Sequence, residues 1–123
     1  MKVLLDTHVF LWWLNGNKPL SKEASRVLRN NSTVVSAASA WEISIKKFLG
    51  KLRAPDNLEA ELVENNFQPL PITIPHTLFA AQLPSHHGDP FDRLLIAQSK
   101  IEGLALVTRD QKQMLYDVKI IEA

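Results

Sequence analysis

The chain has 123 residues, 46% of them hydrophobic and none of them cysteine, so it is read as a single domain over residues 1–123 with one core. The missing thiols exclude a disulfide framework, thiolate zinc and a cysteine nucleophile, and fit a reducing, cytoplasmic setting. Lys plus Arg number 14 and Asp plus Glu 13, a formal charge of +1, which excludes a wholesale electrostatic grip on nucleic acid and leaves only a local patch for it.

Residues 2–5 read as a short buried strand that Asp6 interrupts, so the start is neither a signal peptide nor a membrane span. Val9 to Leu14 is apolar all round and suits a buried helix stopped by Asn15-Gly16-Asn17. Ser21 opens a second helix with Ala24, Val27 and Leu28 at helical spacing, ended by Asn30-Asn31. Thr33-Val34-Val35 is a β-branched strand. Ser36 to Leu49 follows as a helix with Ala40, Ile43 and Phe48 near one face and Gly50 as its stop. Leu58 to Asn65 is a further helix, with Leu58, Leu62 and Val63 inward. Pro69 and Pro71 make the stretch from Phe67 to Ile74 an edge strand or a loop. A short helix around Thr77–Gln82 precedes the irregular segment 84–90. Phe91 to Glu102 is a helix with Asp89 as cap, Pro90 first and Gly103 past its end. Leu104–Val107 and Val118–Ile121 are the last two strands.

Strands alternate with helices, and the best strands lack in-out alternation. That predicts an α/β domain of three layers, α/β/α, around a mostly parallel sheet of four or five strands. Ligands of such sheets sit beyond the carboxyl ends of the strands. Five of the thirteen acids fall near such ends. Asp6 ends the first strand and Asp110 lies just past the Leu104–Val107 strand. Glu42 sits between Trp41 and Ile43 in an apolar helix, and Asp89 and Asp92 start the helix that feeds the Leu104–Val107 strand.

Four or five carboxylates in one pocket repel each other, and burial raises their pKa values. A hard dication removes the conflict, and an all-oxygen set favours Mg2+ or Mn2+ over zinc. Such an ion polarises a phosphate and activates a water, which points to phosphodiester hydrolysis. Each acid also has a plainer role. Asp89 is a helix cap and Asp92 a first-turn acid, Asp6 and Asp110 are caps or turn formers, and Glu42 is a partner for Lys46 at i,i+4.

Around the acids, Arg93 and Arg109 are candidates to hold phosphate, or else ion pairs that offset the cluster. Thr108 either offers a hydroxyl to the ion's water shell or shapes the turn. His86 and His87 suit a surface loop or a substrate contact better than ligation, and His8 packs or hydrogen-bonds at the strand end. Lys46, Lys47, Lys51 and Arg53 form either a nucleic-acid-facing patch or a solvated helix end. Trp12 and Trp13 suit core or interface burial better than base stacking. No glycine-rich phosphate loop is present.

The run Leu4-Leu5-Asp6-Thr7-His8 with Leu11-Trp12-Trp13-Leu14, then Ser39-Ala40-Trp41-Glu42-Ile43, then HGDPFDRLLIAQ over 87–98 and Leu106-Val107-Thr108-Arg109-Asp110 resembles PIN domains, in particular the VapC-type toxin ribonucleases of toxin–antitoxin pairs. The motifs come in the family's order across nearly the whole chain. Gly88 departs from it, at a position where a basic residue is more usual. The resemblance implies a Rossmann-like fold and an Mg2+- or Mn2+-dependent endoribonuclease, the toxin of a type II pair, leaving a 5′-phosphate and a free 3′-hydroxyl. Asp6, Glu42, Asp92 and Asp110 match the family's acidic quartet and Asp89 an extra acid. Asp6, Asp92 and Asp110 would hold the metal, with Glu42 and Asp89 as further candidates, and Glu42 would orient or deprotonate the attacking water. Thr108 matches a hydroxyl position near the metal. The resemblance also implies an RNA substrate, a cognate antitoxin and a homodimer. A non-catalytic PIN-like binding module, or a metal-dependent DNA nuclease or phosphatase on the same acids, are the alternatives.

Overall fold

The computed structural model describes residues 2–16 and 19–123, so Asn17, the last residue of the expected helix stop, lies outside the described residues. Strand β1 (Lys2–Leu5) lies at the centre of a five-stranded sheet, with β2 (Ser32–Ser36) on one side and β4 (Ala105–Thr108) on the other. Strands β3 (Gln68–Leu70) and β5 (Ile120–Glu122) form the edges, giving the order β3-β2-β1-β4-β5, and every pairing is parallel. The expectation of a parallel three-layer sheet holds.

The centre is set by side chains that are apolar on both faces. Val3 and Leu5 point into one core with Val35, Ala105 and Val107. Leu4 points into the other with Val34 and Leu106. The first core is covered by α1 (Thr7–Asn15), α2 (Lys22–Asn30) and Ile43 of α3 (Ala37–Phe48). The second is covered by Leu95 and Ile96 of α6 (Pro90–Glu102). Complete burial of Val3, Leu4 and Leu5 is worth about 1.5–3 kcal/mol each. No helix among the described residues is long and apolar enough to cross a membrane.

Element ends follow local chemistry. Ser21 caps α2 by accepting from the Ala24 N–H at 3.0 Å, and its hydroxyl donates to the Glu122 carbonyl at 2.9 Å, tying α2 to β5. Helix α6 begins at its expected cap and proline and ends at Gly103, whose φ of 67° suits glycine and whose N–H reaches the Ser99 carbonyl.

Several expectations are corrected. Helix α4 (Leu58–Glu64) turns Val63 outward, 81% exposed, and α3 turns out Phe48, 90% exposed. Helix α5 (Ile74–Ala81) starts three residues before Thr77, because Thr73 caps it in a reciprocal box with His76. The segment from Phe67 contributes only the three residues of β3, at the edge where Pro69 costs no ladder bond. The last strand starts at Ile120, and a 3-10 turn (Gln113–Leu115) precedes it.

Candidate active site

Register carries the chain's two ends to one place. Leu5 pairs with Val107, and the Asp6 N–H continues the ladder to the Val107 carbonyl at 2.9 Å. Asp6 and Thr108 are therefore lateral neighbours, and the Thr108 hydroxyl lies 3.2 Å from Asp6 Oδ2. Asp6 holds the N-cap position of α1, yet its side chain makes no capping bond. Its Oδ1 is buried with no hydrogen-bond partner. The cap reading of Asp6 is thus corrected: the position is right and the bond is missing.

Helix α3 supplies Glu42. The Thr7 and Ser39 hydroxyls meet at 2.8 Å and pin α3 to the start of α1, which turns Glu42, one helical turn further on, toward Asp6. Glu42 is 3% exposed. Its Oε2 accepts from Lys46 Nζ at 2.7 Å, so the helix pair is present, while its Oε1 is buried and unpartnered. The bond to Glu42, ahead of the other carboxylates, also lifts the Lys46 pKa above its ordinary value.

Helix α6 supplies Asp92 from its first turn. Asp89 is the cap itself, its Oδ1 accepting from the N–H groups of Phe91 at 2.8 Å and Asp92 at 3.2 Å. Asp110 is oriented by its own N–H to Thr108 Oγ1 at 3.0 Å, and its Oδ1 accepts from the Lys112 N–H at 2.9 Å.

These acids share one electrostatic field. Burial pushes the Asp6 carboxyl up to about 7, against the Thr108 hydroxyl, with the Asp110 and Glu42 carboxylates adding repulsion. Burial likewise pushes Asp92 up to about 7, with Asp6, Asp89 and Glu42 repelling and His87 opposing them. Asp6 thus feels Asp110 and Glu42, and Asp92 feels Asp6, Asp89 and Glu42.

The surroundings differ from expectation in three respects. Arg93 does not face the acids: its guanidinium donates to the carbonyls of Ala80, Leu83, Pro84 and His87. Arg109 donates to the carbonyls of Ala123 and Pro19 and lies 4.5 Å over the Trp12 ring. Carbonyls take the Arg93 donors and two of the Arg109 nitrogens, so neither guanidinium is held by the acids. The third is His87, placed on a surface loop by sequence reasoning. Its Nε2 lies 2.9 Å from both Asp92 Oδ2 and Asp110 Oδ2, and these three groups come within 4.8 Å of one another. The adjacent His86 turns instead to the Tyr116 ring, at a centroid distance of 5.0 Å.

Other expectations resolve simply. Trp13 donates to Asn65 Oδ1 at 2.9 Å and packs on Phe67, so it is a structural residue. His8 is exposed and lies near Trp12, their ring centroids 6.3 Å apart. In the basic run, Lys46 and Lys47 are paired with Glu42 and Asp56, and Lys51 and Arg53 are exposed. Gln113 was missed: it is fully buried, with Oε1 2.7 Å from Thr108 Oγ1.

An acidic notch at the carboxyl edge of an all-parallel sheet, walled by α1, α3 and α6, defines the class: a three-layer α/β protein with clustered, mutually repelling carboxylates. The PIN domain pattern matches residues 3–120. Over 114 residues the chain is 32% identical to Ribonuclease VapC22 of Mycobacterium tuberculosis, covering 89% of this chain and 88% of that protein. Among solved structures it resembles VapBC2 from Rickettsia felis bound to a promoter DNA fragment, with a TM-score of 0.73, 15% identity and coverage of 100% and 99% of the two chains. It also resembles DNA-bound VapBC from Salmonella typhimurium, with a TM-score of 0.71, 18% identity and coverage of 99% and 98%. The chain belongs to the PIN domain family, in its VapC type.

Proposed function

We propose that the chain is a divalent-metal-dependent endoribonuclease, acting in the cytoplasm as the toxin of a toxin–antitoxin pair. One observation carries the reading. Asp6 Oδ1 and Glu42 Oε1 are buried without partners in a notch where Asp110 and Glu42 repel Asp6, and Asp6, Asp89 and Glu42 repel Asp92. Orphaned anionic oxygens in such a place call for a cation, and an oxygen-rich donor set suits Mg2+ or Mn2+. The ribonuclease relative and the toxin–antitoxin complexes among the structural neighbours support the activity, the RNA substrate and an antitoxin partner. We extend the reading to a homodimer.

Asp6, Asp92 and Asp110 would hold the ion, which supplies Lewis-acid polarisation of a phosphate oxygen and a more acidic water. Glu42 presents its free Oε1 to accept a proton from the attacking water, while Lys46 holds the other oxygen in place. Thr108 orients Asp6, and Asp89 keeps the first turn of α6 in register so that Asp92 stays on the notch.

The test is cleavage of RNA with Mg2+ or Mn2+, with chelator, and by Asp6→Asn. Cleavage that needs the ion and falls about a hundredfold or more in the variant is expected. Equal cleavage by both proteins, or full activity in chelator, refutes the assignment. Parallel assays on DNA and small phosphate esters separate the ribonuclease from another phosphodiesterase. An Mn2+-indifferent chain that still binds an antitoxin would be a docking module.

A further inference from the structure

The segment 83–89 between α5 and α6 has no regular structure, yet hydrogen bonds tie it down at Leu83, Pro84, His87 and Asp89. Arg93 Nη2 donates to the Ala80 and Leu83 carbonyls, and Nη1 to those of Pro84 and His87. The Tyr116 hydroxyl donates to the Pro84 carbonyl at 2.7 Å and accepts from the His87 N–H at 2.9 Å. The His87 peptide is therefore fixed at both its N–H and its C=O, which is more than a passive surface loop requires.

The ring is fixed as well. His87 Nδ1 accepts from the Asp89 N–H at 3.1 Å. A nitrogen that accepts carries no hydrogen, so this bond assigns the ring hydrogen to Nε2. That single N–H donates to Asp110 Oδ2 at 2.9 Å, and Asp92 Oδ2 lies at the same distance from Nε2 as a charge contact. Neither ring nitrogen then has a lone pair free for a metal: one is engaged by the main chain and the other bears the hydrogen. The three groups have the spacing of a ligand set, but hydrogen-bond logic makes His87 a donor within it.

We propose that His87 is a positioning residue of the ion site, a stand-in that bridges Asp92 and Asp110 at the two oxygens a divalent ion would take and that competes with the ion for them. The inference rests on the divalent-ion reading above and sharpens it. With neither ion nor imidazole, two carboxylates face each other in a partly buried notch. The Nε2–H offsets that repulsion and keeps the pair convergent. Seating an ion on the same oxygens requires this bond to be given up, so the rigid loop sets the ion's affinity below what the acids alone would provide.

The experiment is calorimetric titration of Mn2+ into the full chain, wild type and His87→Ala, at one pH and salt concentration. Removing the competitor is expected to tighten Mn2+ binding about tenfold or more, the fold-change that corresponds to a charge-assisted hydrogen bond that no longer has to be broken. His87→Gln, whose amide still donates, is expected to fall between the two and decides the matter if the alanine variant does not fold. Weaker binding by the variants would make His87 a ligand, and unchanged binding would make it a bystander; either overturns the proposal while leaving the metal reading intact. Binding by His87→Ala alone supports it. No binding by any of the three removes the metal reading and this inference together.

Discussion

The Thr108 hydroxyl has one hydrogen and three neighbours. It accepts from the Asp110 N–H, and both Asp6 Oδ2 and Gln113 Oε1 lie within bonding distance. One O–H cannot serve two acceptors. Gln113 Nε2 is buried with no partner, and an amide's O and N exchange places without changing its shape. Reversing that amide lets Gln113 donate to Thr108 and leaves the hydroxyl hydrogen for Asp6, a relay that ends on a buried acid. Thr108→Val keeps the volume and breaks the relay. It is expected to cost about 1–3 kcal/mol in urea unfolding, while Thr108→Ser, which keeps the hydroxyl, costs less. Equal losses in the two variants would locate the effect in the methyl group. Asp6 and Asp110 stood out as candidates at strand ends, Glu42 in an apolar helix, and Asp89 and Asp92 at the start of α6. The direction of His87 was not, because it depends on a main-chain N–H two residues away. Gln113 was hidden for a similar reason, since no periodicity marks a 3-10 turn. Arg93 and Arg109 had the right sign beside the acids, but free carbonyls, invisible in sequence, took their donors.

At the level of elements, caps and stops were the readable part. Ser21, Asp89-Pro90 and Gly103 each do locally what their chemistry predicts. The start of α5 escaped because its capping box uses a histidine at the position where Glu or Gln is the usual signal. The outward turn of Val63 escaped because a seven-residue helix leaves too little length to define a face. The irregular 83–89 segment reads as loop in both sequence and structure, yet it is held by two side chains from outside it, Arg93 of α6 and Tyr116. Arg93 brings a planar fork to four carbonyls, which an ammonium cannot reproduce. Arg93→Lys is therefore expected to lose most of the effect of Arg93→Ala, about 2–3 kcal/mol, and to open the loop first. Hydrogen exchange at the His87 and Asp89 amides, bonded to Tyr116 and to the His87 ring, reads whether the loop these carbonyl bonds hold has opened. Faster exchange there, with the sheet amides unchanged, is the expected result, and protection equal to wild type would refute the clamp.

Across the whole molecule, the parallel order β3-β2-β1-β4-β5 does what no single helix or strand can: it sets Asp6, near the start of the chain, beside Asp110, near its end. The cost of that convergence is electrostatic and should appear in global stability. In the unfolded chain Asp6 and Asp92 ionise near their ordinary 3.8, whereas in the folded chain each holds its proton to about 7. Between those values the folded state binds more protons, so stability from this site is fully present below about pH 4 and falls as pH rises, the loss being complete above about 7. The pair titrates together, so the sum is on the order of a few kcal/mol rather than two independent penalties. Asp56, held below its ordinary value by Lys47, acts in the opposite sense at an exposed site, and it changes only at the acid end of the range. Without divalent ions, wild type is expected to lose stability to urea between pH 5 and pH 8, and Asp6→Asn to lose distinctly less, because asparagine fills the same space and has no proton to give up. An ion that binds only the folded chain adds about 2.7 kcal/mol at a hundred times its Kd, so saturating Mn2+ should restore wild type at pH 8 and leave Asp6→Asn little changed. Parallel pH slopes in the two proteins would mean that the carboxylates are not in conflict, and the case for a cation in the notch would lose its physical basis.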